Sequence, residues 1–347
     1  MNRVKRNAWR IIGLAMAIAM LAAPEAVQAV PAARSGVVSV VSPADAEGRF
    51  EKTLKVTGTV DMEVGTGSGR ISVRTGTGDT VSIIGTIKAN DRWSLGGLSA
   101  AEKVKRLEAN PPIQQTGNRI VIGKIEDREL RENVSISYEI VTPAATRLRA
   151  STGSGSIDVD GLREMLDAVT GSGSIKLASI GAETQAQTGS GSIEANGVNG
   201  RLNASTGSGG IRAYGVAGSV RARTGSGSIE IEQTGSGGSV DADTGSGGIT
   251  ARNVRGSFRA QTGSGSIRVD GKPEGAWRIG TGSGGVTVRL PADQGFELDA
   301  HTSSGSITTT HPVTVQGTLK RHELRGRVRG GGPTIEISTS SGSIRVE

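Results

Sequence analysis

The hexapeptide Thr152-Gly153-Ser154-Gly155-Ser156-Ile157 returns down the chain, with small variations, starting at Thr170, Thr188, Thr206, Thr224, Thr244, Thr262, Thr281, Thr302 and Thr339. The first four intervals are each 18 residues and the later ones 20, 18, 19, 21 and 37, the last close to two periods. A period in this range marks a repeat architecture, in which one unit cannot bury its apolar face alone and must stack on its neighbours.

Laying residues 188–205 over residues 206–223 brings Ile193 onto Ile211, Val198 onto Val216, Leu202 onto Val220 and Ala204 onto Ala222. Around Leu202 and Val220 apolar and polar residues alternate with a period of two, the pattern of a strand with one buried face. Between the strands lie Gly-Ser-Gly and Asn-Gly or Ala-Gly, which tolerate positive φ and turn the chain without strain. Gly153, Gly155, Gly171, Gly173, Gly189, Gly191, Gly207, Gly209, Gly225 and Gly227 are therefore expected to be structural turn residues.

Each unit reads strand, turn, strand, turn. Four or five small aliphatics contribute roughly 1.5 to 3 kcal/mol each on burial, whereas ordering a unit costs about 1.5 kcal/mol per residue. An isolated unit does not fold, and its neighbours must complete both hydrogen bonds and core. The expectation is an all-β, two-sided β-solenoid of about 18-residue coils, thin because Ala, Val, Ile and Thr dominate the inward positions. Phe258 and Trp277 fall at or beside the position held by Leu202 and Val220 and read as core.

The first 29 residues have the parts of a secretory signal peptide: Arg3, Lys5, Arg6 and Arg10, an apolar run from Ile11 to Ala23, and Val27-Gln28-Ala29 before an expected cut after Ala29. The apolar run is too short for a comfortable membrane span, and no second run of that length follows. Residues 30–142 read as an N-terminal β region, with probable-strand character at Phe50 to Val56, Val60 to Val64, Arg70 to Arg74, Thr80 to Lys88, Arg119 to Gly123 and Asn133 to Val141. A helix is expected near residues 99–109, because Ser99-Ala100-Ala101-Glu102 forms a capping box and Pro111-Pro112 stops the run. It is expected to cover the open core as a cap. Residues 143–347 read as solenoid repeats with a C-terminal cap from about residue 312. The segment Arg163-Glu164-Met165-Leu166 replaces a glycine turn with one helical turn or a bulge.

Without cysteine there is neither a lipoprotein anchor nor a disulfide framework. The formal charge of +7 falls to +4 once a signal carrying four Lys/Arg and one Glu is removed, leaving 36 positive against 32 negative residues. With aromatics at 2% and both signs interleaved, the chain lacks the basic stripe and stacking rings of a nucleic-acid binder. The glycines of TGSGS lead into another strand, which excludes the phosphate loop and the dinucleotide fingerprint, and no cofactor is implied.

Half the period matches the nonapeptide of calcium β-rolls, but Ser154, Ser172, Ser190 and Ser226 stand where carboxylates would be needed, so a hydroxyl and backbone must close the turn. His301, His311 and His322 lack ligand spacing for a metal. Asp158 and Asp160 offer a carboxylate pair of the type used on glycosidic bonds, but they stand on a strand where later coils put Lys176 or Glu194 in place of Asp158, and solvated charge is the better account. Near the C-terminus Lys320, Arg321, Arg325, Arg327 and Arg329 form a basic run that suits either an anionic ligand or the charged guard of an edge strand.

Beyond the TGSGSI repeats, the chain carries Asn110-Pro111-Pro112-Ile113, then Ile122-Gly123-Lys124-Ile125-Glu126-Asp127, and closes with Gly330-Gly331-Gly332-Pro333 and Thr339-Ser340-Ser341-Gly342-Ser343-Ile344. In these features it resembles the bacterial putative-adhesin family, exported β-strand-repeat proteins first described as a domain of unknown function. The resemblance spans nearly all of the chain after the signal. It implies an exported β-solenoid and carries over no catalytic residue.

The expected function is a non-enzymatic binding or structural surface of the cell envelope, periplasm or exterior. Its expected partners are a glycan, an envelope polymer or another surface protein. A polysaccharide-acting enzyme and a calcium-folded roll are the alternatives.

Overall fold

In a computed structural model, residues 45–91, 97–235, 238–315 and 321–347 are described. The expected signal peptide with its cut after Ala29, and Lys320 of the basic run, lie outside the described residues. The unit from Pro43 to Glu347 is a two-sided β-solenoid of two facing sheets, one of 14 strands and one of 15.

In the middle of the stack each coil supplies one strand to each sheet. Leu166–Thr170, Thr184–Thr188, Leu202–Thr206 and Val220–Thr224 pair in parallel in the first sheet, and Ile175–Ile180, Ile193–Val198, Ile211–Val216 and Ile229–Gln233 do so in the second. Through these coils of the first sheet the register is strict, so each sequence position becomes a ladder, while the second sheet slips by a residue near Val216 and Val254. Leu166, Thr184, Leu202, Val220, Val240, Phe258 and Trp277 form one inward row and Ala168, Ala186, Ala204, Ala222, Ala242 and Ala260 the next. The alanine row lets the two sheets approach closely. Phe258 and Trp277 are buried as expected, with their rings edge to face at 5.6 Å, and the Trp277 indole donates to the Gly256 carbonyl at 3.1 Å.

The Gly-Ser-Gly corner is built on close approach. None of its first five pairs of glycines has positive φ. A Cβ on Gly155, Gly173, Gly191, Gly209 or Gly227 would instead stand 1.8–2.0 Å from the carbonyl oxygen of the equivalent glycine one coil earlier. Left-handed backbone belongs to the opposite corner, where Gly197 and Gly215 (φ 71° and 68°) align with Ser179 and Asn253 at φ 54° and 58°.

The hydroxyl that closes the turn comes from threonine. In coil after coil the buried Thr accepts from the amide of its own turn, as in Gly209 N to Thr206 Oγ1 at 3.2 Å. It donates to a carbonyl of the neighbouring coil, as in Thr206 Oγ1 to Gly191 O at 2.8 Å. The same bond recurs from Thr152, Thr170, Thr188, Thr224, Thr244, Thr262, Thr281, Thr302 and Thr339. Thr206→Val keeps the shape and removes the hydroxyl, leaving a half-buried amide and a half-buried carbonyl unpartnered. It is expected to cost about 1–3 kcal/mol, read as a lower denaturation midpoint with an unchanged m-value.

Both ends depart from simple succession. The strands Val60–Thr66 and Ile71–Thr75 form a coil that sits between two later ones: Arg119–Ile122 with Val134–Thr142 on one side, Thr146–Thr152 with Ile157–Asp160 on the other. At the far end, after Val286–Arg289, the chain leaves one place empty and forms Phe296–Ser304 and Ile307–Thr309. It turns back through Val313–Thr314 and Glu323–Val328, and its last strands, Thr334–Ser341 and Ile344–Val346, fill the vacant place.

The expected helix is present. α1 (Ala100–Ala109) begins with the Ser99–Glu102 capping box and buries Ala100, Val104 and Leu107. It lies on the edge strand Asp45–Lys55, where Gly48 leaves room for Val104, and Glu108 accepts from the Arg49 amide at 2.8 Å. A short α2 (Arg128–Arg131) and a hairpin of Ile113–Thr116 with Arg119–Ile122 were not foreseen. No helix forms at Arg163 to Leu166; the strand resumes at Leu166.

Candidate binding surface

Because coils stack in register, outward side chains form columns as regular as the inward ones. On the first sheet one column runs Glu63, Arg149, Asp167, Gln185, Asn203, Arg221, Asp241, Arg259, Arg278, Glu336. Ion pairs along it join Arg149 with Asp167 at 3.6 Å, Arg221 with Asp241 at 3.2 Å, and Arg278 with Glu336 at 3.4 Å. Between the charged steps lies an uncharged block of Gln185, Gln187, Asn203 and Ser205, whose amides and hydroxyl both donate and accept.

This block borders a shallow groove of about 290 Å³ lined by Glu183, Arg201, Asn203, Ser219, Val220, Arg221, Ser239 and Asp241. It crosses successive coils and holds cations, carboxylates, an amide and serine hydroxyls within one span. Such a lining matches a ligand rich in hydroxyls better than one of a single charge, because each hydroxyl needs a donor and an acceptor.

The C-terminal basic residues meet a different environment. Arg325 lies 3.0 Å from both Asp299 and Glu323, and Arg327 lies 3.2 Å from Glu297. Those carboxylates offset the two central charges of the run. Arg321 stands in the exposed turn before Glu323–Val328, and Arg329 follows that strand with φ 49°. In the described part of the patch Arg325 and Arg327 are thus held by carboxylates of their own and the neighbouring strand.

Asp158 and Asp160 both point outward from one strand. Asp158 lies 3.8 Å from Arg70 and aligns with Ser72 on one side and Lys176 on the other. Among the described residues no three His, Cys, Asp or Glu side chains gather as metal ligands. No described helix is long and apolar enough to cross a membrane. The signal that sequence reasoning missed was the Asn/Gln/Ser block, which is visible only once Gln185 and Asn203 are placed side by side.

Among curated proteins, none matches the chain. Among solved structures it is similar to a putative adhesin from Bacteroides fragilis (14% identity over 86% of this chain and 97% of that one, TM-score 0.29). It is also similar to a putative cell adhesion protein from Clostridium sporogenes (11%, 88% and 99%, TM-score 0.18). A third is a putative adhesin from Parabacteroides distasonis (10%, 86% and 97%, TM-score 0.28). The family model described as Toastrack DUF4097 matches residues 53–347, almost the whole of the coil stack and both interleaved ends, and the chain belongs to that family.

Proposed function

We propose that the protein is an exported, non-enzymatic binding surface that holds an extended glycan or glycan-bearing envelope polymer along the outer face of its first sheet. The observation that carries this reading is the groove beside Asn203, where in-register stacking lines up Glu183, Arg201, Ser219, Arg221 and Asp241 across successive coils. Each contact is weak alone, and repetition along one ligand chain adds them through effective concentration. Export rests on the basic and apolar pattern of residues 1–29.

An array of glycans and envelope polymers tests it. The protein is expected to retain an extended neutral glycan, to bind its short fragments far more weakly, and to leave every ligand uncleaved. Asn203→Ala combined with Arg201→Ala, both at exposed or half-buried positions, is expected to reduce retention about tenfold, the loss of one or two hydrogen bonds to a ligand. Turnover of a bound polymer, or an array without a single retained glycan, would remove the proposal.

A further inference from the structure

The N-terminal end of the stack holds a second, chemically different cavity. A pocket of about 290 Å³ is lined by Thr66, Lys124, Ile125, Arg131, Ile136 and Tyr138 together with Gly65, Gly67, Gly123 and Val134. It contains two cations and no carboxylate. Lys124 has only an exposed ion pair with Glu126 at 3.5 Å, and Arg131, the last residue of α2, has no ion pair among the described residues.

Tyr138 supplies the independent observation. Its side chain is 1% exposed, its ring packs edge to face on Phe50 at 6.4 Å, and its hydroxyl has no hydrogen-bond partner. Buried hydroxyls are ordinarily satisfied, and each exception calls for an explanation. The hydroxyl lies beneath Gly123: a Cβ there would stand 3.1 Å from it and 1.8 Å from the Gly65 carbonyl oxygen. Gly123, at φ 86°, lines the same pocket as Tyr138, and the missing Cβ is what lets its backbone lie beside the hydroxyl. Burial raises the Tyr138 pKa, so at neutral pH the group is a donor.

This pocket shares Gly67, Arg131 and Val134 with a larger one of about 650 Å³, whose walls include Ser68, Ser135 and the Glu47–Lys88 ion pair at 2.8 Å. The inner part offers positive charge and one neutral donor among apolar walls of Ile125, Val134 and Ile136. The outer part offers hydroxyls and charges of both signs.

We propose that the combined cleft binds an acidic sugar, with the carboxylate in the inner pocket against Arg131, Lys124 and the Tyr138 hydroxyl and the hydroxyl-bearing ring in the outer one. The planar guanidinium of Arg131 fits a carboxylate in two-pronged fashion. The site is separate from the sheet-face groove and does not depend on it.

Isothermal titration of the full chain with glucuronate, glucose and inorganic phosphate tests the assignment. Glucuronate is expected to bind saturably and glucose at least about tenfold more weakly. Arg131→Gln is expected to weaken glucuronate about tenfold or more, as loss of a charged hydrogen bond requires. Tyr138→Phe is expected to weaken it several-fold while thermal stability stays equal or rises, because an orphaned hydroxyl is removed. Arg268→Gln, at an exposed position that lines neither cavity, is expected to leave it unchanged. The proposal fails if glucuronate shows no saturable binding, if phosphate binds more tightly, or if Arg131→Gln or Tyr138→Phe binds as the parent does.

Discussion

Gly191→Ala, a single added methyl, is expected to destabilise the protein by about 3 kcal/mol or more, at the upper end of what overpacking costs. The new Cβ would stand 1.9 Å from the Gly173 carbonyl oxygen and 2.4 Å from its carbon, both backbone atoms that cannot rotate aside. Relief requires the two coils to separate, and separation stretches Thr188 Oγ1 to Gly173 O and Gly189 N to Gly171 O, now 2.8 and 2.9 Å. A matched control is Gly58→Ala, where nothing lies within 4 Å of the added carbon but φ is 78°, so only the backbone cost of about 1 kcal/mol applies. Chemical denaturation of both variants decides the matter. Equal midpoints would mean that coil spacing is soft and that the close approach of the glycines is incidental.

Truncation before Thr334 is expected to have the larger effect. The missing coil buries Ile335, Ile337, Ile344 and Val346, each contributing roughly 1.5–3 kcal/mol. It also bridges the strands on either side of it: Ile335 aligns with Trp277 on one flank and Leu298 on the other. Without it Phe296–Ser304 and its hairpin have no sheet to join, so the loss spreads to residues 296–328. Limited proteolysis should then cut throughout 290–333, while the coils before Trp277 stay protected, as nearest-neighbour stacking requires. A truncated chain in which 296–328 resists protease would show that these strands close directly onto Trp277–Ser283, against the order described above.

The two-sided stack was legible because alternation and period survive through the central coils: Leu202, Ala204 and Thr206 recur as Val220, Ala222 and Thr224. Helix α1 was legible because its start and stop signals are local. The role of glycine at Gly191 was misread, since a residue chosen for closeness to a neighbour 18 positions away looks the same in sequence as one chosen for its own φ. Serine drew attention as the turn hydroxyl, although the buried Thr206 performs that task and Ser208 faces outward.

The interleaving of the ends was hidden, because coils with nearly identical edges do not encode which neighbour they choose. Only the 37-residue gap between Thr302 and Thr339 hinted at it. The Tyr138 cleft lies where the repeat is weakest, built by a hairpin, a one-turn helix and a strand that share no period. Its one visible trace was the Gly123-Lys124-Ile125 motif.

The placement of Thr334–Val346 between two earlier-made coils also sets the timetable of assembly. Residues 296–328 emerge from a ribosome or a translocation channel before the strands that must lie beneath them exist. That stretch has to wait, open and threadable, until residues 334–346 follow, and only then can those strands slide in and lock the pile shut.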